Sequence, residues 1–231
     1  MQSTHQAKLL EPLSSPNNSV DWRFLLPILP ESKILIVGQS CDDFTRLFNK
    51  LGIEAIPWDY DFSNSIKAPL FPVTQFDIVA VPHGFPGKDL SSNPQHHLEI
   101  YQTMQFLLKP GGIILVGFSN NLGIRRKFTP GTYSSTVAQT TRLFQKAGFK
   151  EVKFYGAIPN LSMPDYIFPI TRQTIGFILE HRYRTKLSAR LLRWLYNPIF
   201  TAGFSHFFTS YFAVAVAPTA SSENRFQVNA H

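Results

Sequence analysis

Small, acidic, imidazole and guanidinium side chains follow four apolar runs of this chain, and their types could support chemistry. They are Gly38, Gln39 and Ser40 after the first run, Asp59 and Tyr60 after the second, Pro82, His83 and Phe85 after the third, and Asn121 and Arg125 after the fourth. A glycine lets a ligand approach the main chain, and a carboxylate can accept hydrogen bonds from ribose hydroxyls. Histidine titrates near neutrality, and arginine binds anionic groups. The sequence therefore indicates a nucleotide-binding strand-to-helix turn near a group that can move a proton.

His83 is the candidate for proton transfer. It comes directly after a predicted strand, where it could take a proton from a hydroxyl or carboxyl group of a substrate. A histidine that only hydrogen-bonds a loop is the open alternative. His96 and His97 are adjacent, so on a helix they would point to different faces, and no Cys or His lies at ligand spacing. The sequence therefore predicts no metal site.

Strand and helix patterns alternate along the chain and would position these residues. The predicted strands are 33–37, 53–58, 76–81, 113–117, 152–155 and 211–217, and the predicted helices are 42–51, 91–108 and 134–147. Lys109-Pro110-Gly111-Gly112 is a tight turn between a helix and a buried strand. This alternation predicts an α/β fold with an open, largely parallel sheet. Ligands of such sheets bind outside the carboxyl ends of the strands, which is where the four groups fall.

Composition narrows the class of protein. The chain has 231 residues, of which 44% are hydrophobic and 14% aromatic, so it can form the core of one domain. The net charge of +7 could favour binding to nucleic acid, to an anionic membrane face or to an acidic small molecule, or it could contribute to solubility alone. A single cysteine, Cys41, excludes an internal disulfide framework, and the N-terminus lacks a secretory signal pattern. Both features favour a cytoplasmic protein.

The sequence divides into a loose leader at 1–19, one domain at 20–217 and a loose tail at 218–231. Within the domain, 159–208 reads as an insertion before the last strand. The stretch 194–222 has no charged residue and is long enough to cross a bilayer. Its proline, glycine and hydroxyl residues, and its strand-like end, favour a buried or interfacial segment instead.

The insertion contains an amphipathic basic pattern. Leucines recur near helical spacing among basic residues, as in Leu187, Leu191, Arg190 and Arg193. Such a helix could cover an apolar substrate, lie on a membrane surface or form a homodimer contact. A helix packed on the domain with a solvated face is the remaining alternative.

Five motifs, in their order and spacing, give the chain a family resemblance. They are Ile34–Gly38, Asp59, Phe76-Asp77, the run Leu108–Gly112 and the run Lys146–Val152. Over residues 24–217 the chain resembles the class I S-adenosylmethionine-dependent methyltransferases. The resemblance implies a Rossmann-like, doubly wound and mostly parallel sheet with an antiparallel last strand and a helical insertion before it.

The resemblance also implies a cofactor and a set of site residues. S-adenosyl-L-methionine would lie over Gly38, Gln39 and Ser40, with its ribose at Asp59 and Tyr60 and its methyl group near Pro82 and His83. The substrate side would include Phe85, Asn121, Arg125 and Tyr155. Arg125 could equally belong to a solvated helix start, and Asp59 could be a turn residue beside Asp61.

The expected reaction is O-methylation of a small-molecule or peptide-sized acceptor such as a specialised metabolite. Val81-Pro-His-Gly-Phe85 stands where nitrogen-directed relatives carry an Asn-Pro-Pro-Tyr-like sequence. The glycine run departs from the GxGxG pattern of the family, since only Gly38 is kept. An inactive binding subunit is therefore one alternative. A nucleic-acid methyltransferase is less favoured, because the basic residues cluster in one insertion instead of lining a channel.

Overall fold

Runs of branched apolar residues form the central strands of an eight-stranded sheet, flanked by helices. The strands are β1 (Lys33–Val37), β2 (Glu54–Trp58), β3 (Phe76–Val81), β4 (Leu108–Asn120), β5 (Ser134–Ser135), β6 (Lys150–Ile158), β7 (Tyr166–Pro169) and β8 (Ser210–Val216). The helices are α1 (Cys41–Lys50), α2 (Pro94–Leu107) and α3 (Val137–Lys146), preceded by a 3-10 helix at Trp22–Leu25. Strands β1 and β3 are buried on both faces, which explains their nearly unbroken Val, Ile, Leu and Ala content.

The computed structural model describes most of the predicted domain. The described residues are 21–38, 41–58, 75–85, 94–120, 134–158, 160–162, 164–171, 173–175, 177, 208 and 210–219. The predicted leader, most of the tail and most of the predicted insertion lie outside them.

The strand order defines the fold. It runs β2-β1-β3-β4-β8-β6-β7, with β5 beside the end of β4. Strands β1 to β4 pair in parallel, and β8 runs antiparallel between β4 and β6. The predicted doubly wound, mostly parallel sheet with an antiparallel last strand is confirmed. Because β8 opposes both neighbours, β6 runs in the direction of β4.

The parallel strands therefore end along one side of the sheet, which we call the carboxyl edge. It is formed by the residues that end or directly follow these strands, namely Gly38, Trp58, Pro82, Asn120 and Ile158. The strand order reverses between β1 and β3, and ligands of open α/β sheets bind beside such a switch point. The candidate site must lie here.

Several predicted boundaries were wrong for local physical reasons. Strand β4 begins at Leu108 because Leu108 already pairs with Phe76, and the predicted Pro-Gly-Gly turn forms a bulge inside the ladder. Helix α3 starts three residues later than predicted, since Thr136 and Gln139 form a capping box. Helix α1 begins at Cys41, so Asp42 lies in its first turn and is not its N-cap.

Strand β7 was also missed. It falls inside the predicted insertion, 159–208, and pairs with β6 over Tyr155–Ile158. Gly156 makes this pairing close, because a Cβ there would lie 2.6 Å from the ring of Phe168 on β7. The first part of the predicted insertion is therefore an extension of the sheet.

Two apolar layers cover the sheet. Alternate residues of β1 point to opposite faces, so Leu35 and Val37 join one cluster while Ile34 and Ile36 join the other. The first cluster contains buried residues of α2 and α3. The second contains Trp22 of the 3-10 helix, whose ring packs against Phe44 and Phe48 of α1. The segment before β1 is thus part of the core.

Asp77 joins three strands at the opposite, amino edge of the sheet. Its carboxylate accepts hydrogen bonds from the Lys33 main-chain N–H at 2.8 Å and from Lys109 Nζ at 2.7 and 2.8 Å. Partial burial raises the pKa of Asp77, but the hydrogen bonds from Lys109 and Lys33 and the charge of Lys109 outweigh it, and the pKa is lowered below 3.8. The ionised carboxylate therefore stabilises the start of β1 and of β4.

We expect Asp77→Asn to lower the free energy of unfolding by about 1 kcal/mol near neutral pH, a value reduced for partial exposure. Because the folded pKa lies below the unfolded one, the contribution is present above about pH 4 and is lost as the pH falls through the folded pKa. Urea unfolding of both proteins at several pH values measures it. Asp43→Asn is the control, since Asp43 pairs with Arg46 on the exposed surface. An equal loss in both variants would contradict the assignment.

Candidate functional site

Gly38 places bare main chain at the carboxyl edge. Its φ of +109° is a conformation that side chains disfavour, and its N–H donates to the Trp58 carbonyl at 3.1 Å. A Cβ at this position would meet its nearest atom, the Gly84 carbonyl oxygen, only at 3.8 Å. Among the described residues, main chain at Gly38 therefore lies next to the turn that follows β3, with no side chain between them.

That turn, Pro82–Gly84, is tight and fixed. The Gly84 N–H donates to the Val81 carbonyl at 3.1 Å, and Gly84 has a φ of +76°. On its other side the turn touches β4 at Gly117, where a Cβ would overlap the Pro82 carbonyl oxygen. Three main-chain segments thus meet here without side chains between them. We call Gly38, Pro82–Gly84 and Gly117 the glycine junction.

The His83 side chain extends from the glycine junction toward α1. Its ring lies 6.0 Å from the ring of Phe44, measured between centroids, and Phe44 in turn lies 5.4 Å from Trp22. Burial lowers the pKa of His83 below 6.5, because the imidazolium loses hydration in these surroundings. The neutral ring that results at pH 7 can accept a proton, as a general base must.

The two described residues that begin α1 after Gly38, Cys41 and Asp42, do not crowd it. The Cys41 side chain is buried in the apolar cluster under α1, and Asp42 is exposed in the first helical turn. Gly38 itself offers a surface that a Cβ would otherwise occupy. Among the described residues, only the Gly84 carbonyl oxygen comes within 4 Å of this position, so the bare main chain that S-adenosylmethionine would need is present although the glycine run is reduced to one residue.

Six predicted site residues lie outside the described residues: Gln39, Ser40, Asp59, Tyr60, Asn121 and Arg125. The strands that lead to them are described, and these strands, β1, β2 and β4, end at the carboxyl edge. Their roles stay predictions.

Phe85 and Tyr155 are described but lie deeper than the sequence suggested. Phe85 is 1% exposed and packs edge-on against Tyr101 of α2, with centroids 5.5 Å apart. Tyr155 is half-buried in β6, between Phe212 and Pro169, and three residues before the end of its strand. Both side chains pack in the structure, and a contact with substrate remains a prediction for each.

Gly117 and Asn120 belong to a stretch, 117–121, that the sequence marks as a candidate for chemistry, but their structural roles were not predicted. The Asn120 amide is buried and donates from Nδ2 to the Phe208 carbonyl at 2.7 Å, which ties the end of β4 to the approach to β8. An amide at the end of a buried strand could have indicated such a tie. A glycine inside an apolar strand, as at Gly117, signals close approach of another main chain.

Among the residues described here, no group of three or more His, Cys, Asp and Glu side chains could hold a metal ion. Within the same residues, no helix has the length and apolar character needed to cross a bilayer. The predicted membrane-surface or dimer helix of the insertion falls mainly outside the described ranges and stays a prediction.

No family model and no curated protein sequence matches this chain. In fold, the chain is similar to a SAM-dependent methyltransferase from Archaeoglobus fulgidus, with a TM-score of 0.49 and 15% identity over 80% of this chain and 86% of that one. It is similar to phosphoethanolamine N-methyltransferase 2 of Haemonchus contortus, with a TM-score of 0.48 and 13% identity over 85% and 51% of the two chains. The cyclase SpnF matches with a TM-score of 0.40 and 14% identity over 82% and 76%.

These likenesses are too distant to carry an argument about activity, and one of them is to a cyclase. The strand order of this chain defines its Rossmann-like fold.

We expect the His83 ring to titrate below 6.5 in the isolated protein, because Phe44 shields it from water. Phe44→Ala should move its titration midpoint up toward 6.5. Histidine proton and nitrogen NMR spectra as a function of pH measure both values. Phe48→Ala, which also removes a ring that Trp22 contacts, is the control and should leave His83 unchanged. A wild-type midpoint at or above 6.5 would contradict the burial argument.

Proposed function

We propose that this protein is an S-adenosylmethionine-dependent methyltransferase that methylates an oxygen atom of a small or peptide-sized acceptor. One observation carries the proposal: Gly38, with a φ of +109°, places main chain without a side chain at the carboxyl edge, beside the switch point and next to the Pro82–Gly84 turn. The predicted carboxylate at Asp59, directly after β2, would complete a nucleoside site there.

The chain's own residues would bind the cofactor and align the acceptor. S-adenosylmethionine supplies an electrophilic methyl group on a sulfonium. Gly38 with Gln39 and Ser40 would hold its methionine part, and Asp59 with Tyr60 its ribose. His83 would accept the proton of the acceptor hydroxyl as the oxygen–methyl bond forms and the carbon–sulfur bond breaks. The products are the methylated acceptor and S-adenosylhomocysteine, with the proton on His83 until water removes it.

Charge supports an acidic acceptor. The described residues carry nine Lys and Arg against nine Asp and Glu, so the whole excess of +7 lies outside them. Part of it, Arg125-Arg126-Lys127, belongs to the segment that leaves the carboxyl edge after Asn120 and returns at β5 beside the end of β4. A positive segment that starts and ends at the site would favour acceptors with an anionic group.

The first test is cofactor binding. We expect S-adenosylhomocysteine at 100 times its Kd to stabilise the wild-type protein by about 2.7 kcal/mol. Gly38→Ala should abolish most of this gain, because a side chain would strain the turn and fill the space beside it. Calorimetric titration and thermal unfolding with and without the ligand measure the effect.

Gly52→Ala is the matched control for this test. Gly52 follows α1 with a φ of +78°, and a Cβ there would meet no atom within 4 Å. Its substitution should cost about 1–2 kcal/mol of stability through the same kind of backbone strain and leave the affinity unchanged. If the wild-type protein does not bind the ligand at all, the chain is an inactive binding subunit and the proposal fails.

The second test is turnover. With radiolabelled methyl donor and a panel of phenols, carboxylic acids and amines, we expect label on oxygen of an acidic acceptor. His83→Gln should lower kcat by about 10²- to 10⁴-fold with cofactor affinity retained. In the wild-type protein, kcat/KM should fall as the pH falls through the lowered pKa of His83, because the imidazolium cannot accept a proton. An unchanged rate in His83→Gln would remove His83 as the base.

A further inference from the structure

Gly117 brings β4 unusually close to the turn after β3. It lies next to Val116, which pairs with Val81, so it stands opposite the start of the turn. A Cβ at Gly117 would overlap the Pro82 carbonyl oxygen and would lie 3.0 Å from its carbonyl carbon and 3.1 Å from Leu161 Cδ1. Since real Cβ atoms do not approach main-chain oxygen this closely, any side chain at position 117 must displace the turn.

We propose that Gly117 is a positioning residue. It sets the position of the Pro82–Gly84 turn relative to β4, and thereby the position of the His83 ring. The inference rests on the proposed function, because the placed group is the proposed base. Gly117 itself would touch neither cofactor nor acceptor.

The turn cannot absorb a displacement at Pro82 without moving His83. Proline has no N–H, so no ladder hydrogen bond from Pro82 ties the turn to a neighbouring strand. Its position is set by contact with Gly117 on one side and by the Gly84 N–H bond to Val81 on the other. A shift of the Pro82 carbonyl is therefore passed to the next residue, His83.

The same turn also borders the proposed cofactor site. The Gly84 carbonyl faces Gly38 at 3.8 Å from the position of its absent Cβ. Displacing the turn would change the distance between the proposed base and the proposed methyl donor. Misplacement on the order of 1 Å can cost about 100-fold in rate when reacting groups must be aligned.

The test compares Gly117→Ala with Gly112→Ala. Both glycines lie in β4, and a Cβ at Gly112 would also crowd main chain, at 2.9 Å from the Lys109 and 3.2 Å from the Asp77 carbonyl oxygen. Gly112, however, lies at the amino edge. We expect Gly117→Ala to lower kcat about 100-fold with a smaller change in KM, and to move the His83 titration toward 6.5. Gly112→Ala should do neither, whatever its loss of stability.

A third variant separates the two contacts of Gly117. Leu161→Ala in the Gly117→Ala background relieves the contact with Leu161 but leaves the overlap with Pro82. We expect no recovery of kcat, and a full recovery would overturn the role assigned to the turn. An unchanged His83 titration and kcat in a folded Gly117→Ala protein would overturn the inference as well.

A second variant and the NMR titration test the inference even if Gly117→Ala does not fold or the wild-type protein does not bind the methyl donor. If Gly117→Ala does not fold, Gly84→Ala displaces the same turn from within, because its φ of +76° disfavours a side chain, and should give the same changes at His83. An unshifted His83 titration there would count against the inference. The NMR titration needs no methyl donor, so it decides the inference even if the wild-type protein fails to bind S-adenosylhomocysteine and the proposed function falls.

Discussion

The structure depends on the close approach of main chain to main chain at the carboxyl edge. Gly38 and Gly117 lie on either side of the Pro82–Gly84 turn, and neither places a side chain against it. The turn can rest on β4 only because residue 117 has no Cβ. The same lack of a side chain at Gly38 leaves main chain accessible to a ligand. At this edge, the packing of the sheet and the geometry of the candidate site therefore both depend on glycine at positions 38 and 117.

The stabilising contacts of Asp77 and the candidate site lie at opposite ends of the same strands. At the amino edge, Asp77 fixes the starts of β1 and β4 through charge-assisted hydrogen bonds from Lys33 and Lys109. The residues that end the described parallel strands at the carboxyl edge carry no charge. Charge-assisted contacts among the described residues thus fix the strands at the edge where no ligand is expected.

The order of elements was predictable from the sequence, because buried parallel strands require nearly continuous apolar runs and because Gly52 and Gly148 mark the ends of α1 and α3. Contacts between distant segments were not. Nothing near β6 indicates that Gly156 accommodates Phe168, so β7 was missed. For the site, His83 was predicted from its residue type and place after a strand, and its role stays a prediction. The depth of Phe85 was not predicted, since Phe85 packs against Tyr101 of α2, 16 residues farther along the chain.

The surroundings of His83 also bear on the kind of acceptor. Burial lowers the pKa of His83, and Phe44, whose ring lies beside it, packs in turn against Trp22 from the segment before β1. Burial that lowers the pKa of His83 makes it a weaker base, and a weaker base assists best when the proton it removes is already acidic. Phenolic hydroxyls meet this condition better than aliphatic hydroxyls do, whereas a carboxylate is already ionised near neutral pH and needs no base. The apolar surroundings of His83 and the positive charge carried outside the described residues are thus both consistent with the proposed acceptor, one with an acidic oxygen.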